Sequence, residues 1–386
     1  MTPGARLAAT IEVLDTVLLG APAEKTLTNW GRNNRFAGSK DRAAIRDLVF
    51  QAIRCRRSAG AWPVVHSART WAIGSLYANN KDPEEVFTGL GHAPEELTAD
   101  ELIRPMISEL DAWDLQDWTI QEMIKSYGDV QACQISQVLK HRAPVTLRVN
   151  TQKATVSQVK LALADNGIET SANQISDTAL TVENKTRQLV LQDIFSKGWF
   201  ELQDAASQAV AAAIPATGRV LDYCAGGGGK SLALAARTGL KIFAHDVNLA
   251  RMSEIGPRSA RGGHDIVVIP PLELDPKTQF DTVICDLPCT GSGAWRRSPE
   301  GKWTLTENII SKYVQLQREI LTKSVAHLAP GGVLAFITCS IFNAENQMQQ
   351  TYICENFPNL SILTVKQYLP SPVNDGLYLV IFKKFS

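Results

Sequence analysis

Arg219-Val220-Leu221-Asp222-Tyr223-Cys224-Ala225-Gly226-Gly227-Gly228-Gly229-Lys230-Ser231 runs an apolar segment straight into four consecutive glycines. The segment 219–224 predicts a buried strand. The glycines predict a tight turn whose backbone can approach a ligand closely, just before a helix N-terminus with unpaired N–H groups. Downstream, 241–246, 265–269, 280–285, 332–337, 362–366 and 377–383 read as six more strands. They alternate with helical stretches, the longest being 307–328, which is expected to stop at Pro330-Gly331-Gly332. Such alternation predicts an α/β fold, a largely parallel sheet with helices on both faces, closed by a hairpin-like final pair.

The glycine turn is not a phosphate loop. That motif needs glycine five positions before Gly229, and Cys224 stands there. A dinucleotide fingerprint begun at Gly226 would need its third glycine at Ser231. The next strand does end in an acid, Asp246, and a carboxylate there can accept both hydroxyls of a ribose. A nucleoside site remains the simplest expectation.

Two cysteines sit at two strand ends of the same pattern. Cys289 lies in Asp286-Leu287-Pro288-Cys289-Thr290-Gly291-Ser292-Gly293, and Cys339 in Phe336-Ile337-Thr338-Cys339-Ser340. In open α/β sheets ligands bind beyond the carboxyl ends of the strands. Two thiols delivered there predict thiol chemistry on a substrate beside a bound nucleoside. Cys224 and Cys285 lie within apolar strands and read as core, while Cys55, Cys133 and Cys354 sit in no motif.

The other 200 residues read differently. Helical spacing marks 5–19 and 40–57, and the first 135 residues are expected to be helical. Residues 145–150 read as a strand, Thr155 and Gln158 have capping-box spacing for a helix that Gly167 would end, and 179–183 and 188–191 read as short strands. The expected domains are 1–135, 136–200 and 201–386. The 386 residues carry no net charge, are 45% hydrophobic and 20% charged, and include seven cysteines without zinc spacing, so neither a disulfide framework nor a metal is expected. No apolar run is long enough for a membrane span, and the first residues lack the order of a signal peptide, which predicts a cytoplasmic protein. Charge is unevenly spread: ten Lys/Arg against five Asp/Glu in 1–60, and three against thirteen in 81–130. That asymmetry fits either a binding face for nucleic acid or ordinary solvated helices. Arg296, Arg297, Lys302 and Trp303 invite the same pair of readings, a groove for an RNA backbone with a stacked base or a solvated loop.

The two cysteine motifs resemble those of the RsmB/NSUN family of RNA cytosine-5 methyltransferases. The likeness extends to Arg148-Val149-Asn150, Gln203-Asp204-Ala205-Ala206-Ser207-Gln208, Asp222-Tyr223-Cys224-Ala225 with Gly228-Gly229-Lys230, Arg296-Arg297-Ser298-Pro299 and Asn374-Asp375-Gly376, and covers roughly 140–386. Residues 1–135, with Asp41-Arg42-Ala43-Ala44-Ile45-Arg46-Asp47-Leu48-Val49, resemble the helical NusB-like RNA-binding domain fused to bacterial RsmB proteins. The resemblance implies a Rossmann-like, seven-stranded class I methyltransferase domain preceded by a small α/β module and an all-helical N-terminal domain. It implies transfer of a methyl group from S-adenosylmethionine to carbon 5 of a cytosine in RNA, ribosomal (16S) RNA first among candidates, by a monomer without membrane partners. By the same resemblance Cys339 is the attacking thiol, Cys289 assists product release, Asp286 bonds the cytosine edge and Lys230 positions base and carboxylate. The cofactor falls to Cys224, Ala225, Gly226, Gly227, Gly228, Gly229, Lys230, Asp246 and Asp286. The chain departs from the family in Gly226-Gly227, where Ala-Pro is usual. It departs again at the end of the third strand, where Ile269-Pro270-Pro271 replaces an acid, with Glu273 and Asp275 further on. A same-fold enzyme for tRNA or protein, or an RNA-binding assembly factor that has kept the fold, are the alternatives.

Overall fold

Seven strands form the larger sheet: β5 (Arg219–Asp222), β6 (Lys241–His245), β7 (Ile266–Ile269), β8 (Phe280–Asp286), β9 (Leu328–Thr338), β10 (Leu360–Tyr368) and β11 (Leu377–Lys384), in the order β10-β11-β9-β8-β5-β6-β7. In this computed structural model, which describes residues 1–61 and 67–385, β5 to β9 pair parallel and β11 pairs antiparallel with both β9 and β10. This is the Rossmann-like methyltransferase sheet, with the turn from β5 at the point where strand order reverses. Its central strands are apolar on both faces: Val220, Leu221, Val283, Ile284, Leu334, Phe336 and Ile337 are all fully buried. That is why they read as continuous apolar runs rather than alternating ones.

Four strands before it, β1 (Val145–Val149), β2 (Thr170–Ala172), β3 (Ala179–Val182) and β4 (Phe200–Leu202), make an antiparallel sheet ordered β2-β3-β1-β4. Thr155 closes its capping box with Gln158, opening the helix Val156–Ala164, and Gly167 follows in the left-handed region at φ 67°. The segment 188–191, expected to be a strand, belongs instead to the 3-10 helix Thr186–Leu191. Its apolar residues Leu189, Val190 and Leu191 are consecutive, and only Leu189 is buried. A short apolar run cannot by itself distinguish strand from turn.

The structure divides into two units, Met1–Arg142 with Trp295–Thr304, and Ala143–Ala294 with Leu305–Ser386. The first is helical, with Pro3–Leu18, Ala23–Asn33, Ser39–Arg54, Ala68–Ala78 and Asp117–Leu139 its longer helices. Among the described residues no helix is long and apolar enough to cross a membrane. Part of its acidic run neutralises its own basic side chains: Arg57 pairs with Asp111 and Asp117, Arg69 with Glu101, and Lys140 with Asp114. The segment Trp295–Thr304 corrects the expectation of a basic stacking groove. Arg296 and Lys302 are buried within the helical unit, Lys302 Nζ donates to the Arg54 carbonyl at 2.9 Å, and Trp303 Nε1 donates to the Ile53 carbonyl at 2.8 Å. Burial lowers the Lys302 ammonium to about 8. These residues anchor the segment in the helical unit instead of facing solvent; only Arg297 of the four is exposed.

Two of the corrected boundaries bear on the site. The helix after residue 306 stops at Ala326, and β9 already begins at Leu328, so Pro330-Gly331-Gly332 forms a bulge within the strand. Beyond β8, Gly293 N donates to the Cys339 carbonyl and Gly376 N to the Gly293 carbonyl, both at 2.9 Å. A side chain on Gly293 would stand 2.4 Å from the Gly376 carbonyl oxygen, with backbone on both sides. Gly293→Ala is therefore expected to destabilise the protein by about 1–3 kcal/mol, the usual range for overpacking. Denaturant unfolding at wild-type stability would contradict this.

Candidate active site

Parallel pairing of β8 with β9, in a register that sets Asp286 beside Ile337, sends both strands out on one edge of the sheet. Leu287 N donates to the Ile337 carbonyl at 2.9 Å and carries the pairing one residue further. Cys289 and Cys339 follow at once, and their sulfurs lie 3.4 Å apart. Both are partly exposed and unbridged, unlike Cys55 and Cys285, which are buried. The neighbouring Cys339 sulfur, then burial and the charge of Glu345, push the Cys289 thiol well above the usual range.

Lys230 and Asp286 flank the thiols. Lys230 is the second residue of the helix Gly229–Ala235 that opens after the glycine turn, and its buried ammonium donates to Asp286 Oδ2 at 2.5 Å. Burial alone would lower the Lys230 pKa, but the carboxylates of Asp286 and Asp222 and the Cys339 sulfur nearby raise it above its ordinary value. The amine is held as a cation among these groups. Asp222, at the end of β5, is buried and accepts from Ser231 Oγ at 2.6 Å; burial raises it to about 6. The outer part of Asp286 remains open, its side chain 37% exposed.

The glycine turn and Asp246 lie one strand over. Gly226 and Gly228 have φ of 51° and 77°, conformations that a side chain rarely takes, and a Cβ on Gly228 would strike Ile255 at 2.8 Å. Asp246 is 2% exposed, accepting from Gly226 N and Asn248 N at 2.9 Å while Arg251 pairs with it at 3.2 Å. Beyond it opens a cleft of about 730 Å³ lined by Val247, Asn248, Leu249, Ala250, Pro270, Pro271, Leu272 and Glu273. Glu273 lines this cleft, in a turn after β7 closed by Glu273 N and the Pro270 carbonyl. Ala225 N bonds the His245 carbonyl and ties the loop to β6, whereas burial keeps the Cys224 thiol protonated, so Cys224 can serve a ligand only through its backbone.

Of the residues quoted outside the cysteine motifs, Arg148 and Gln203 brace this loop. Arg148 donates to the Gly229 carbonyl at 3.1 Å and to Gln203 Oε1 at 2.8 Å, and Gln203 donates to the same carbonyl at 3.1 Å. Asn150 donates to the Gly198 and Gly262 carbonyls, and Asp204 accepts from Asp375 N. Missing from the sequence reading altogether was Glu345, a wholly buried carboxylate that accepts from Thr290 and Ser340, the residues after the two cysteines. Its only sequence signal is its closeness to Cys339.

The two thiols differ in surroundings, and alkylation reads that difference directly. Thiolates, not thiols, react with iodoacetamide. At pH 7 Cys289, whose thiol is pushed well above the usual range, is expected to be modified after Cys339, as followed by peptide mass mapping. The reverse order, or equal rates, would contradict the electrostatics described here.

Residues 211–376 match the family model described as 16S rRNA methyltransferase RsmB/F, and 116–188 match the ferredoxin-like domain of RsmF/B-like methyltransferases. Ribosomal RNA small subunit methyltransferase B of Vibrio cholerae is 32% identical over 282 residues, 69% of this chain and 64% of that protein. Its counterpart from Erwinia tasmaniensis is 32% identical over 258 residues, 65% of this chain and 60% of that protein. The chain thus spans somewhat less than two thirds of the length of these relatives. A methyltransferase homolog from Pyrococcus horikoshii shares the fold over 72% of this chain and 97% of its own, with 23% identity and a TM-score of 0.63. NSun6 from the same organism, whose structure holds the S-adenosylmethionine analogue SFG, shares it over 70% and 98%, with 15% identity and a TM-score of 0.61. On the strength of the two domain matches and the similarity to these rRNA methyltransferases, the chain belongs to the RsmB/F family of methyltransferases.

Proposed function

We propose that this protein transfers a methyl group from S-adenosylmethionine to carbon 5 of a cytosine in RNA, with ribosomal RNA as the substrate class, through a covalent adduct at Cys339. The observation that carries the reading is the pair of sulfurs 3.4 Å apart at the ends of β8 and β9, beside the Lys230–Asp286 pair. A protein that only binds RNA has no use for two thiols so placed.

The chain has a fitting place for the cofactor. The Asp246 carboxylate suits the ribose hydroxyls, with the exposed Arg251 side chain free to swing from it, and the glycine backbone leaves room for close approach. Val247, Leu249, Pro270, Pro271 and Leu272 offer apolar walls to a flat base, and Glu273 offers an acceptor for its amino group. Asp286 stands between this cleft's strand ends and the thiols. When bound, S-adenosylmethionine supplies an electrophilic methyl group.

Carbon 5 of cytosine is a weak nucleophile. Attack by the Cys339 thiolate on carbon 6 makes carbon 5 enamine-like, able to take the methyl group, and removal of the carbon 5 proton then expels the thiolate. Lys230 sets its ammonium beside Cys339. Asp286 bonds the cytosine edge and stabilises the protonated ring, and Lys230 holds Asp286 in place. Cys289, kept as a neutral thiol by its neighbours, assists release of the product. The target base must leave its stack to reach the sulfur, which favours single-stranded or loop RNA. The NusB-like resemblance of the helical unit supports a role for it in holding that RNA.

Single substitutions separate the two thiols. Cys339→Ala is expected to abolish both turnover and adduct. Cys289→Ala is expected to trap a protein–RNA adduct, seen as a slow band on a denaturing gel after incubation with rRNA and S-adenosylmethionine. Normal turnover by Cys289→Ala without a trapped band would overturn this division of roles.

A further inference from the structure

The buried carboxylate of Glu345 is placed where it can set the distance between the two sulfurs. Glu345 ends the short 3-10 turn Asn343–Glu345 that follows β9, and its residue is 0% exposed. Oε1 accepts from Thr290 N at 3.0 Å and from Gln317 Nε2 at 3.1 Å. Oε2 accepts from Thr290 Oγ1 at 2.6 Å and from Ser340 Oγ at 2.5 Å. Thr290 follows Cys289 and Ser340 follows Cys339, so one side chain grips the chain directly after each thiol.

The rest of the network converges on the same two loops. Gln317 Nε2 also donates to the Pro288 carbonyl at 3.0 Å, and Gln349 fixes Gln317 through a 2.8 Å bond to its Oε1. Ser292 Oγ lies 3.1 Å from Ser340 Oγ and accepts from Ile341 N at 2.9 Å. Asn346 Nδ2 donates to the Ser340 carbonyl at 2.9 Å. Four donors on two oxygens match the acceptor capacity of a carboxylate, while burial pushes Glu345 above the usual carboxylate range. Burying an anion is costly unless hydrogen bonds compensate it, and here three of the four come from Thr290 and Ser340, directly after the cysteines, and one from Gln317. A glutamine of the same shape would turn two hydrogens either onto Thr290 N and Gln317 Nε2, which can only donate, or onto the Thr290 and Ser340 hydroxyls, which would have to turn their own hydrogens away.

We propose that Glu345 is a positioning residue that clamps Thr290 and Ser340 and thereby fixes the separation of Cys289 and Cys339. The proposal rests on the covalent reading above for its purpose, but its geometry can be scored without any methylation. Azodicarboxamide oxidises two adjacent thiols. Each thiol gives up a hydrogen, one S–S bond forms, and the azo compound takes up two protons and two electrons to become the hydrazine. The full chain is treated with this reagent, and the Cys289–Cys339 disulfide is followed by peptide mass mapping.

The wild-type protein is expected to form this disulfide ahead of any pairing among its other cysteines. Glu345→Gln is expected to slow it by tenfold or more. In the methylation assay the same variant should lose tenfold or more in kcat, with KM for RNA and the affinity for S-adenosylmethionine within twofold of wild type. A loss of fold would move all of these together. Should Glu345→Gln not fold, Thr290→Val removes one of the four bonds while keeping side-chain shape and backbone, and about threefold slower pairing is expected. Wild-type pairing rates in whichever of these variants folds overturn the proposal. If the wild-type chain methylates no RNA, the proposed reaction fails, and the pairing rates still decide the role of Glu345.

Discussion

The adjacency of β8 and β9 as parallel strands is the constraint on which the site depends. Parallel neighbours must leave the sheet on the same edge, and the register fixes how far each runs. Asp286 sits opposite Ile337, so Cys289 stands three residues beyond one member of that pair and Cys339 two beyond the other. Two loops that leave side by side need little else to bring their thiols together. The sequence separation of fifty residues is erased by one hydrogen-bonded ladder. β5, on the other side of β8, places the glycine turn and Lys230 on that same edge.

What the ladder leaves open is the last few ångströms, and polar burial settles those. Loops that leave a sheet carry unpaired backbone groups, which cannot be buried without partners. Here the partners are Glu345, Gln317, Ser292 and Asn346, with the Gly293 and Gly376 backbones in close approach. On the cofactor side Arg148 and Gln203 do the same for the Gly229 carbonyl, so the small antiparallel sheet contributes to the geometry of the glycine turn. Asp286 is the exception to full burial, its side chain 37% exposed, while its partner Lys230 is buried.

The strands were legible because buried parallel strands read as unbroken apolar runs, and Val220 to Asp222, Ile242 to His245 and Val333 to Thr338 lie within the segments expected or end next to them. The seven strands of the larger sheet followed. Leu189 to Leu191 misled because three consecutive apolar residues satisfy a turn as well as a strand. Arg296 and Lys302 misled for another reason: charge in a sequence says nothing about whether a carbonyl waits inside to receive it, and Arg54 O does. Asp286, Cys289 and Cys339 could be picked out because their motifs carry the chemistry. Glu345 could not, since a carboxylate that works through hydrogen bonds from Thr290, Ser340 and Gln317 has no pattern of its own in the chain. The cleft beyond β6 and β7 fell between these cases, with Asp246 visible at a strand end and Glu273 hidden until the turn after Pro270 is seen.

The central claim is that the paired thiols serve methylation of cytosine at carbon 5. The most direct measurement is nucleoside mass spectrometry of ribosomal RNA after incubation with the purified chain and S-adenosylmethionine bearing an isotopically labelled methyl group. The account predicts the label in 5-methylcytidine. Label in another nucleoside or in protein, or none in RNA at all, would contradict it.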